Sequence, residues 1–72
     1  MTEPKMSFEE FIVRASSYQI NSKHERIGQA YFNTLAWHRP DLSEQIRGSF
    51  MYDPFHDDNK VPAFLDFVAT NW

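Results

Sequence analysis

Three histidines, ten carboxylates and no cysteine are the groups of this chain that could carry chemistry. They crowd most closely at Asp53, His56, Asp57 and Asp58, inside the run Gly-Ser-Phe-Met-Tyr-Asp-Pro-Phe-His-Asp-Asp-Asn-Lys of residues 48–60. Oxygen-rich loops of this kind can hold Ca²⁺ or Mg²⁺. The register fails, however: counted from Asp53, a calcium loop would need an oxygen ligand at Phe55, a glycine at Asp58 and a glutamate at Phe64. The acids read better as a capping turn, because carboxylates just before Val61 favour a helix start. His24, His38 and His56 fall on three different elements without metal-ligand spacing. Ser16, Ser17, Ser43 and Ser49 lack the Gly-x-Ser-x-Gly context of a nucleophile elbow. Gly28 and Gly48, the only glycines, cannot make a phosphate loop. Without cysteine there is no disulfide, thiolate nucleophile or thiolate-bound metal. No catalytic, cofactor-binding or metal residue is therefore assigned, and the chain reads as non-enzymatic.

With 72 residues and 8.6 kDa there is room for one domain, read as residues 7–72 behind a flexible leader of residues 1–6 that holds Pro4 and no periodicity. A chain this short buries roughly 60% of its unfolded surface, so seven Phe, three Tyr and two Trp must supply much of the core. Each buried ring removes about 150–250 Å² from water. Ser7 and Glu10 form a capping-box signature ahead of Phe8, Phe11, Ile12, Ala15 and Tyr18, whose spacing predicts a helix over residues 8–19. Ser22 and Glu25 repeat the signature and place a second helix over residues 23–38, with Ile27, Ala30, Tyr31, Thr34, Leu35 and His38 on one face. Gly28 inside it costs about 1 kcal/mol against Ala unless close approach is wanted, so another helix is expected to cross there. Pro40, Leu42, Ile46 and Gly48 outline a short third helix, residues 40–47. Val61, Phe64, Leu65, Val68 and Trp72 form the cleanest stripe, on a last helix over residues 60–71 capped by Asp58 or Asn59. The expected architecture is all-α, a compact single-domain bundle of about four short helices.

Charge is segregated along this framework. Acids and bases balance through Arg47; beyond it Lys60 alone opposes Asp53, Asp57, Asp58 and Asp66, so the whole net charge of −3 lies in the last third. Half of the aromatic residues lie there too. No apolar run approaches the roughly 20 residues of a bilayer span and no signal-peptide pattern opens the chain, so a cytoplasmic location is expected. The missing basic patch argues against nucleic-acid binding. That alternative would parse the second and third helices as a helix-turn-helix with Gln45 and Arg47 at base edges. Phe50, Met51 and Phe55 lie off any period and are expected to tuck under the helices, with Tyr52 and His56 facing outward among the acids. Aromatics ringed by charge are what protein-binding patches are made of. The expected surface joins Tyr52, Asp53, His56, Asp57 and Asp58 with Trp37 or Trp72, and its acids would steer a basic protein partner. Self-association into a homodimer through an exposed aromatic face is a third reading.

The run Gly28-Gln29-Ala30-Tyr31-Phe32-Asn33, then Arg39-Pro40-Asp41-Leu42, Gln45-Ile46-Arg47-Gly48, Asp53-Pro54-Phe55 and Phe64-Leu65-Asp66-Phe67-Val68, resembles small accessory proteins carried by bacteriophages and prophages. The resemblance implies a protein of the bacterial cytoplasm that binds and modulates a host protein. It assigns no functional residue. A looser similarity, to short four-helix domains arranged like a sterile alpha motif, is permitted by the helix count.

Overall fold

Ser7 opens the first helix as its type and position dictate. In the computed structural model, which describes residues 6–72, its backbone is extended and its hydroxyl accepts the Glu10 N–H at 3.0 Å. Helix α1 then runs Phe8–Asn21, with Glu9 and Glu10 at its positive end. Helix α2, Ile27–His38, begins later than the residue 23 that Ser22 and Glu25 suggest. Ser22 closes α1 instead, donating its N–H to the Gln19 carbonyl, and Glu25 N–H turns back to the Ser22 carbonyl at 3.2 Å. The Glu25 carboxylate is drawn away from the backbone by the Tyr18 hydroxyl and by the Asn33 amide at 3.0 Å. Gln29 takes over the capping duty, its Oε1 accepting the Arg26 N–H at 3.0 Å.

Arg39 alone separates α2 from α3, Pro40–Ile46, whose first position suits a residue with no N–H to offer. Gly48 follows at φ +76°, the left-handed conformation that ends a helix at little cost only for glycine. A loop over residues 47–57 leads to a 3₁₀ turn, Asp58–Lys60, and directly into α4, Val61–Asn71. The capping acid is Asp57, which accepts the Asn59 N–H at 3.0 Å, and not Asp58 or Asn59.

Helix α2 is the shared element, packing against α1, α3 and α4. Phe11, Ala15, Tyr31, Phe32, Leu35, Leu42, Ile46, Phe64 and Val68 form the core between them. Tyr31 is its hinge pin, set edge-on to Phe11 at 6.4 Å and to Phe64 at 6.5 Å, a preferred aromatic geometry. Its hydroxyl meets Ser16 Oγ at 2.9 Å, so the phenol is satisfied where it emerges. The polar groups that enter the core bond locally: Thr34 donates to the Ala30 carbonyl and Ser43 to the Pro40 carbonyl. The close approach foreshadowed by Gly28 is made by the loop and not by a crossing helix. A Cβ at Gly28 would lie 2.0 Å from the Pro54 carbonyl oxygen, and Pro54 itself is fully buried there. Of the predicted leader, residues 1–5 lie outside the described residues; Met6 packs against the core. None of the described helices is long and apolar enough to cross a membrane, and the described residues contain no strand.

Candidate interaction surface

The loop after α3 is built by its carboxylates. Asp53 accepts the Gly48 N–H on Oδ2 at 2.7 Å and the Phe55 N–H on Oδ1 at 3.0 Å, folding the chain back on itself. Asp58 reaches across to α2, where Oδ1 accepts the Gly28 N–H at 3.0 Å and faces Arg26 Nε at 3.6 Å. Arg26 also donates through Nη2 to the Phe55 carbonyl at 2.9 Å. A residue thirty positions away in sequence thus satisfies an orphan amide at the start of α2. All three predicted surface acids, Asp53, Asp57 and Asp58, are therefore engaged with backbone N–H groups.

The aromatic residues of the loop divide differently from expectation. Phe55 does tuck, edge-on to Phe32 at 5.8 Å, with the exposed His56 ring also edge-on to it at 5.0 Å. Tyr52, expected outward, is half-buried and lies 5.0 Å from Phe67 of α4. Phe50 and Met51, expected to tuck, are 86% and 61% exposed. The reason is geometric: Asp53 pins both ends of a tight turn, and Tyr52, Pro54 and Phe55 fill the seat beneath it. Residues 50 and 51 are left at its tip. Lys60 Nζ stands 4.6 Å above the Phe50 ring.

Of the remaining predicted residues, Trp37 is 60% exposed and meets Tyr18 edge-on at 5.0 Å. Its neighbour Glu25 accepts the Tyr18 hydroxyl, which pushes the Tyr18 pKa above the ordinary tyrosine value. Trp72 belongs to the core wall. It stacks on Phe11 at 5.3 Å and donates its indole N–H to the Met6 carbonyl at 2.8 Å. Its carbonyl accepts from Arg39 Nη1 at 2.8 Å, while the Arg39 guanidinium lies 5.1 Å over its ring. Tyr52, Asp53, His56 and Asp57 thus share the loop and Asp58 opens the 3₁₀ turn, but their contacts diverge, Tyr52 to Phe67 of α4, His56 to Phe55 and Asp58 to the start of α2, and Trp37 and Trp72 sit on other contacts. Sequence reasoning missed Phe67, Lys60 and the exposure of Phe50. The available signal was Phe67 stepping off the α4 stripe while staying aromatic.

Elsewhere an open recess lies between Ser7, Glu10, Arg14, His38, Arg39 and Asp41. Both of its guanidinium groups already face carboxylates, Arg14 on Glu10 at 2.9 Å and Arg39 in a two-pronged contact with Asp41 at 3.1 and 3.0 Å. Hydrogen bonding to Arg39 holds Asp41 below the usual carboxylate range and pushes the Arg39 pKa up. Among the described residues no three His, Asp or Glu side chains gather as a metal site. Of the cations that the helix-turn-helix reading would turn toward phosphate, Lys23, Arg26 and Arg39, the two arginines face carboxylates, Arg26 on Asp58 at 3.6 Å and Arg39 on Asp41 at 3.0 Å. No protein-family model matches the chain, and neither does any curated protein or solved structure, so the surface is read from its own chemistry.

Proposed function

We propose that the chain is a small non-enzymatic protein-binding module whose docking surface is the patch of Phe50, Met51, Tyr52 and Phe67. The observation that carries this is the 86% exposure of Phe50 in a chain short of core. Leaving one such ring in water forgoes about 1.5–3 kcal/mol of burial. A lone exposed apolar residue needs no explanation, but here neighbours extend it. Lys60, Ala63 and Phe67 follow one another on one side of the 3₁₀ turn and α4, with Phe50 against the first and Tyr52 against the last. Apolar anchors in a charged rim are the usual composition of a binding hot spot. The resemblance to bacteriophage accessory proteins makes a host protein the expected partner.

A photo-crosslinking amino acid placed at position 50 or 67 of the full chain, in bacterial extract, tests the reading. One shared adduct is expected from both positions and none from position 17 on the outer side of α1. Unlabelled chain should compete it away, and unlabelled Phe50→Ser should not. Identical adducts from all three positions, or competition by Phe50→Ser as effective as by the native chain, would overturn the assignment.

A further inference from the structure

We infer that this patch takes a cationic, amphipathic segment of its protein partner, with an arginine or lysine of that segment replacing Lys60 over the Phe50 ring; the inference rests on the docking reading above. The Phe50 face already holds a cation, with Lys60 Nζ 4.6 Å from the centroid. Aromatic faces attract cations through their quadrupole, most effectively when water is excluded. Among the described residues no carboxylate pairs with Lys60, so the ring is what positions the ammonium. A contact of that kind at an exposed site is weak and exchangeable. An incoming guanidinium, more weakly hydrated and planar, stacks better than an ammonium.

The rim selects the same sign. In sequence, residues 48–72 carry the chain's net charge of −3, with Asp53 and Asp57 on the loop, Asp58 on the 3₁₀ turn and Asp66 next to Phe67, while Arg26 stands against Asp58 and Arg47 lies over Phe32. Internal hydrogen bonds to Asp53 and Asp58 fix where those charges stand without neutralising them, apart from the Arg26 contact. The excess of acids over bases in this third favours a basic segment over an anionic membrane or a nucleic acid. Its apolar side would cover Met51, Tyr52 and Phe67 while its cation meets Phe50.

The test uses the full chain and three synthetic peptides with one leucine face and a second face of arginine, glutamate or serine. Binding is followed by fluorescence anisotropy and by backbone amide shifts. The arginine peptide should bind with shifts at residues 50–52, 60, 63 and 67, and more weakly as salt rises. Phe50→Leu, which keeps an apolar side chain but removes the π face, should weaken it about two- to fivefold. Lys60→Gln, which removes the resident cation, should tighten it by about the same factor; a merely structural Lys60 would give no gain. Equal binding of all three peptides at those amides overturns the cation assignment and leaves the docking surface standing. Failure of the arginine peptide to bind there overturns the cation assignment, and if the position-50 adduct is also missing, the docking reading falls with it. Phe50-dependent binding to phosphatidylserine vesicles would overturn it in favour of a membrane surface.

Discussion

Gly28 is where a residue-scale rule and its tertiary context point in opposite directions. Helix propensity alone says that alanine should improve this position of α2 by about 1 kcal/mol. The contact with Pro54 says otherwise, since the added Cβ would meet a backbone oxygen at 2.0 Å and Asp58 Oδ1 at 2.9 Å. Gly28→Ala is therefore expected to lower stability by about 1–3 kcal/mol, the range of core overpacking. Urea unfolding measures it, and a stabilised variant would mean that Pro54 does not seat there. Asp58 belongs to the same junction. Asp58→Ala removes the acceptor for the Gly28 N–H and should cost about 0.5–2 kcal/mol, as loss of a helix cap does. Asp58→Asn keeps an acceptor oxygen and should cost less. The acids were recognisable from sequence as capping residues because their neighbours are turn formers, but the amides they cap were not. Gly28 lies thirty residues from Asp58, and no local pattern links them.

At the scale of elements, what local spacing can express was legible. The stripe from Val61 to Val68 and Gly48 beyond Ile46 stand where the pattern puts them, and Ser7 caps α1 through the Glu10 N–H, but the reciprocal half of that capping box does not form, because the Glu10 carboxylate pairs with Arg14. Ser22 with Glu25 carries the same spacing and opens no helix: Ser22 closes α1, and the Glu25 carboxylate goes to Tyr18 and Asn33. The loop aromatics were not legible for a related reason. Phe50 and Phe55 are equally apolar, and only the volume already filled by Pro54 and Tyr52 decides which is left outside. Trp72 had two readings, core stripe or exposed end, and contact with Phe11, Met6 and Arg39 ties it to the core wall. Trp72→Ala should therefore unsettle α1, the α2–α3 corner and α4 together. Full burial of a tryptophan would set the loss at 3–5 kcal/mol; half-burial reduces it to about 2 kcal/mol. In a domain of this size that is a drop of about 10 °C in melting temperature. A variant melting within about 2 °C of the native chain would contradict the role given to Trp72.

The molecule as a whole measures 39 × 26 × 16 Å, so its thin dimension holds little more than two layers of helix, and its ionic contacts stay near solvent. Such pairs are individually weak, and their pH signatures sit at opposite ends of the scale. Asp41 is held below the ordinary carboxylate range by its hydrogen bonds from Arg39. Its contribution is thus present above the unfolded aspartate pKa near 4 and is lost as pH falls through the lower folded value. Tyr18 is shifted the other way, because the neutral phenol donates to Glu25 and ionisation would set two negative charges side by side. Its contribution is present below the unfolded tyrosine pKa near 10 and is lost as pH rises through the higher folded value. The urea midpoint should accordingly hold a plateau across neutral pH with respect to both pairs. Tyr18→Phe should lower that plateau slightly, and the difference from the native chain should shrink in strong alkali while staying constant in mild acid. Asp41→Asn should show the mirror pattern, its difference fading only in acid. A Tyr18→Phe difference that persists unchanged well above pH 10 would mean that the phenol's proton on Glu25 is not the source of the difference, since phenylalanine keeps the ring packed against Trp37.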